Sequence, residues 1–99
     1  MILSTYRNNT LEIGKITFPL LQCWNPMTKV ATIAAQVDGK RVSCRISYAA
    51  LQKKFNTSAD LPMKAVTENR AVIEIAARKL IENRVYEADG SIVIQYKDL

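Results

Sequence analysis

The chain has 99 residues, 48% hydrophobic and 23% charged, with a formal net charge of +5. That length fits one domain, residues 1–99, and leaves no room for two. Roughly 60–65% of the unfolded surface of such a chain can be buried, so one core forms without metal or disulfide staples, and the composition excludes a disordered tail.

No run reaches the roughly 18 apolar residues that a membrane span needs. The start, Met1 to Arg7, lacks a basic segment followed by a long apolar one, so it does not read as a signal peptide, and the expected location is the cytoplasm. Cys23 and Cys44 are far apart and are expected to stay reduced. The positive charge favours non-specific attraction to anions, without the dense basic tract of a dedicated nucleic-acid binder.

Residues 1–10 are polar and are expected to be loose. Leu11 to Phe18 reads as a strand whose alternation shifts phase at Gly14, the mark of a bulge or bend. Pro19 to Lys29, with Trp24 inside it, reads as a loop. Val30–Val37 and Lys40–Ile46 then flank Asp38-Gly39, the signal for a two-residue type I′ hairpin. That turn sets Val37 opposite Lys40, Ala35 opposite Val42, Ile33 opposite Cys44 and Ala31 opposite Ile46. One face becomes apolar, and the other carries Thr32, Ala34, Gln36, Arg41, Ser43 and Arg45. A sheet of that kind is covered on one side only.

Ser47 is placed to cap a helix from Tyr48 to about Asn56, with Tyr48, Leu51 and Phe55 on one face. Asp60-Leu61-Pro62 starts a second helix, expected to run unbroken to about Asn83. Its buried stripe is Val66, Ile73, Ala76, Ala77 and Leu80, and Glu74 and Arg78 are spaced for an ion pair. Val85–Ala88, Asp89-Gly90 and Ser91–Tyr96 read as a second hairpin. The order β-ββ-α-α-β(β) predicts an α+β fold: a small antiparallel sheet of four or five strands with two helices on one face.

Ile16-Thr17-Phe18, Val37 through Val42, Cys44-Arg45-Ile46-Ser47, Ala50-Leu51, Asn69 through Glu74, Ala76-Ala77-Arg78, Asp89 through Ile94 and Asp98-Leu99 together resemble a family of small bacterial proteins, domain of unknown function 1488. The resemblance covers most of the chain after residue 15. It implies two helices on a small sheet and brings no activity with it.

The chain has no histidine, so imidazole-based catalysis is excluded. Its nine carboxylates are scattered, and no phosphate-binding glycine loop is present. Two lone cysteines cannot close a zinc site within one chain. The expectation is therefore a non-enzyme with no cofactor and no metal. The leading role is a non-catalytic interaction domain that self-associates as a homodimer, with Val72 and Ile75 as contacts off the buried stripe. Trp24 is a candidate partner anchor. The alternatives are an accessory nucleic-acid binder, with Lys40, Arg41, Arg45 and Arg70 as phosphate or anion contacts, and a small-molecule binder. Arg70 stands beside the apolar stripe and reads first as a structural arginine paired with a carboxylate or helix-end carbonyls.

Overall fold

The computed structural model describes residues 14–99. Its elements are β1 (Ile16–Thr17), β2 (Gln22–Asn25), β3 (Val30–Val37), β4 (Lys40–Ser47), α1 (Tyr48–Phe55), α2 (Pro62–Glu68), α3 (Arg70–Glu82), β5 (Ile92–Ile94) and a 3-10 turn at Tyr96–Asp98. The fold is α+β, a five-stranded sheet with three helices. Residues 11–13 of the expected first strand lie outside the described residues.

The β3–β4 hairpin organises the sheet. Asp38 and Gly39 have φ of 51° and 86°, the positive values a type I′ turn requires. The register is the predicted one, from Val37 opposite Lys40 to Val30 opposite Ser47. The Asp38 carboxylate also accepts the Lys15 amide at 3.0 Å, which ties the approach to β1 onto the turn. Ala31, Ile33, Ala35, Cys44 and Ile46 have no exposed surface, and Val42 has 9%.

Two departures concern the sheet. A strand, β2, forms inside the expected Pro19–Lys29 loop and pairs with β3, Cys23 opposite Thr32 and Trp24 opposite Ala31. The turn after it makes this possible: Asn25 accepts the amides of Met27 and Thr28, and Lys29 takes φ 56° to re-enter β3. The second departure is the C-terminal hairpin. Asp89-Gly90 does make a turn, with the Glu87 amide on the Ser91 carbonyl at 2.8 Å, but residues 85–88 are not a strand. β5 instead lies parallel to β4, Cys44 opposite Ile92 and Ile46 opposite Ile94. The sheet is thus mixed rather than antiparallel, because the whole helical segment serves as the crossover that a parallel pair needs.

Ser47 caps α1 by accepting the Ala50 amide at 3.1 Å, and Asn56 ends the helix in the left-handed region at φ 54°. The expected single second helix is broken at Asn69, whose φ is −115°. The Asn69 carboxamide donates to the Ala65 carbonyl at 2.9 Å, the same oxygen that accepts the Asn69 backbone amide at 3.0 Å. The break does not change the phase. Val66 stays fully buried, and Thr67 and Arg70 both reach Gln22. Past α3, Arg84 at φ 57° and the Val85 amide on the Leu80 carbonyl form a Schellman closure.

Ile73, Ala77 and Ile81 of α3, Val66 of α2 and Leu51 of α1 share one core with the apolar sheet face. Ile81 belongs to the buried stripe, and Leu80 is only partly buried. Among the described residues, no helix is long and apolar enough to cross a membrane.

Candidate functional site

The described residues leave two solvent-facing surfaces of interest, the open face of the sheet and the outer face of α3. Strand alternation places Thr17, Cys23, Thr32, Ala34, Gln36, Arg41, Ser43 and Arg45 on the open face.

The four cations singled out as anion contacts do not converge. Lys40 is exposed at the hairpin turn, and Arg41 is exposed opposite Gln36. Arg45 is held by Asp89 at 2.9 Å. The hydroxyl and amide of Ser91, and then Arg45, hold the Asp89 carboxyl down at about 2. Asp89 thereby links the turn before β5 to β4.

Arg70 lies on the other side of the sheet, among the helices. Its side chain is 14% exposed. The guanidinium donates to Glu74, to the Gln22 side-chain carbonyl and to the Pro19 backbone carbonyl, each at 2.7 Å. Its fork is spent on joining α3 to β2 and the loop before it. The expected Glu74–Arg78 pair is accordingly replaced by Arg70–Glu74. Arg78 instead reaches the Ile16 carbonyl at 3.5 Å and stands 5.6 Å from the Phe18 ring.

Trp24 shares the face of its register partner Ala31 and packs against the core. Its ring meets Tyr48 edge-on at 6.4 Å. Much of the indole is thus committed to the fold.

The two thiols differ. Cys44 is fully buried, and burial pushes its thiol from 9.0 up to about 11, against a smaller opposing pull from the Arg70 charge. Cys23 is exposed on the open sheet face. A thiol-specific reagent at pH 8 is expected to modify one thiol of the folded chain. A Cys23→Ser variant should then stay unreactive until denaturant is added; rapid labelling of that variant in buffer would contradict the burial of Cys44. Because the folded value is raised, the stability linked to Cys44 is full below pH 9.0 and is lost as pH rises through about 11.

On α3, Val72 is 40% and Ile75 61% exposed. Glu68 and Lys79, also exposed, extend the same line. The spacing Glu68, Val72, Ile75, Lys79 is four, three, four, the repeat of a coiled-coil seam, on the side away from the core. The seam was legible once Val72 and Ile75 were noted, but its charged ends were not. The place of Cys23 on the open sheet face is not legible in a segment that reads as a loop. Among the described residues, no group of three or more Cys, Asp or Glu side chains is placed to hold a metal ion.

A mixed five-stranded sheet covered on one face by three helices, with no metal cluster among the described residues, defines a small α+β domain. Residues 16–94 match the family described as Protein of unknown function (DUF1488), and the chain belongs to that family. A crystal structure of a DUF1488 protein of unknown function from Shewanella loihica PV-4 has the same fold, with a TM-score of 0.74 at 23% identity. The likeness covers 81% of this chain and 91% of that one, and it speaks to the fold alone. No curated protein matches the chain.

Proposed function

We propose that this protein is a non-catalytic interaction domain that self-associates through the outer face of α3 together with Glu68 at the end of α2. The observation that carries the reading is the seam Glu68–Val72–Ile75–Lys79, exposed at every position. Under a two-fold axis between Val72 and Ile75, two antiparallel copies place Val72 of one against Ile75 of the other, on both sides of the axis. The same axis sets Glu68 of each copy beside Lys79 of its mate. The pattern is self-complementary, as an isologous interface requires. A one-residue slide would end this match of apolar to apolar and acid to base. The absence of histidine from the sequence is in keeping with a role that needs no proton shuttle.

With two apolar side chains per copy, the contact belongs with weak, transient associations. Sedimentation over a concentration series is the test. The full chain is expected to show a monomer–dimer equilibrium that Ile75→Glu moves to monomer. Lys79→Glu should weaken the dimer by placing two acids together, and the double change Glu68→Lys with Lys79→Glu should restore it. A chain that stays monomeric throughout would overturn the proposal. So would a dimer indifferent to Ile75→Glu, or a double variant weaker than either single one.

A further inference from the structure

We infer that the open face of the sheet carries a second, separate site, for the oxyanion of a small molecule (a phosphoryl or carboxylate group), anchored by Arg41. The site arises from a break in strand pairing. β1 pairs only with Val37 and Gln36, and β2 only with Val30 to Ile33. Among the described residues, β3 therefore has no strand partner on that edge at Ala34 and Ala35. Beside the gap is a trough of about 270 Å³, whose lining includes Leu21, Cys23, Thr32, Ala34, Arg41 and Ser43.

The groups that meet there are suited to bind negative charge. In a two-residue hairpin the pair closing the turn, Val37–Lys40, is the hydrogen-bonded one. Alternation then directs the Ala34 amide away from β4, toward the Leu21 backbone at the edge of the trough. The Ser43 and Thr32 hydroxyls stand on the same face and make no hydrogen bond among the described residues. Arg41 likewise has no ion-pair or hydrogen-bond partner among the described residues. Arg45, Arg70 and Arg78 are each engaged, by Asp89, by Glu74 with Gln22 and Pro19, and by Phe18 with the Ile16 carbonyl.

Among the described residues, no carboxylate lines the trough. An acid there would satisfy Arg41 and repel an anion; without one, donors face a concave surface with no fixed acceptor of opposite charge. A guanidinium fork grips two oxygens of a phosphoryl or carboxylate group at once, while Leu21 and Ala34 offer apolar contact to the carbon part of such a molecule. The volume is just under the roughly 300–1,000 Å³ of drug-sized pockets and suits a small anion. A nucleic-acid strand fits the face less well. None of the residues that alternation places on it is aromatic, so bases would find no stacking platform.

The test is titration calorimetry on the full chain with inorganic phosphate, pyrophosphate and succinate, each at ionic strength held constant with chloride. Saturable binding of at least one probe is expected, and the arm that binds tells phosphoryl from carboxylate. Arg41→Gln should weaken it at least about tenfold, Arg41→Lys less, and Ser43→Ala by a few fold. Lys54→Gln, on the far end of α1, should leave it unchanged. Thermal melts of each variant exclude loss of fold as the cause. Three results would overturn the inference: no probe binding beyond chloride, binding that Arg41→Gln leaves intact, or binding confined to single-stranded oligonucleotide with a steep salt slope. Because Arg41 is remote from the α3 seam, failure here leaves the sedimentation test untouched.

Discussion

Replacing Arg70 with alanine is expected to cost the fold about 2–4 kcal/mol, far more than a surface cation would. Three acceptors lose their donor at once. Glu74 keeps a negative charge on a side chain only 29% exposed, and the carbonyls of Gln22 and Pro19 lose charged hydrogen bonds at 2.7 Å. An exposed helical ion pair of the same spacing contributes about 0.3–0.5 kcal/mol, so the measurement decides between a junction and a decoration. Arg70→Lys should recover less than half of the loss, because one ammonium cannot span the three positions a guanidinium reaches. Urea unfolding of the three proteins gives the numbers. Amide exchange in Gln22–Asn25 should accelerate in Arg70→Ala, since the link from α3 to β2 is gone. A loss under about 0.5 kcal/mol would show that β2 holds to β3 without help.

The second large effect lies in the sheet. Ile46 is fully buried on β4, between its register partners Ala31 on β3 and Ile94 on β5. Ile46→Ala removes most of the side chain in the middle of the core and leaves a space that rigid strands on both sides cannot close. Destabilisation of about 2–5 kcal/mol is expected, out of a total near 5–15 kcal/mol for a domain of this kind. Ile75→Ala, on the solvent side of α3, is the matched control. It should change stability by no more than about 0.5 kcal/mol in dilute solution. Equal effects at the two positions would contradict the assignment of core and surface.

The sequence was most legible where chemistry is local. Asp38-Gly39 demands positive φ at both positions, and a two-residue turn leaves one register, so every pair of β3 and β4 could be written down in advance. Ser47 and Asn56 bracket α1 for equally local reasons. The misreadings share the opposite cause. Asp89-Gly90 carries the same turn signal, but nothing local says that β5 will seek β4 rather than residues 85–88. Gln22–Asn25 looks like loop because Pro19 and Pro26 enclose it, and only β3 turns it into a strand. The break at Asn69 is a change of backbone angle at one residue, φ −115°, inside an apolar periodicity that runs on through it, so the pattern carries no sign of it. At the surfaces, the sequence displayed Val72, Ile75, Arg41 and Arg70 as residue types. Which arginines are spent within the fold depends on contacts remote in sequence: Asp89 for Arg45, Gln22 and Pro19 for Arg70.

The parallel seating of β5 on β4 has a bearing on how the chain comes together during synthesis. The β3–β4 hairpin needs only neighbouring residues, and such hairpins form in about 1–10 μs. The second edge of β4 waits for Ile92–Ile94, which emerge only after all three helices. Until then Cys44 and Ile46 border an unpaired strand edge, the kind of surface that recruits other unfinished chains. Closure from the far side of the helices is a non-local step, the kind of pairing that slows folding in general. The helices that reach the hairpin first are thus the temporary guardians of that edge, well before they become one layer of the finished core.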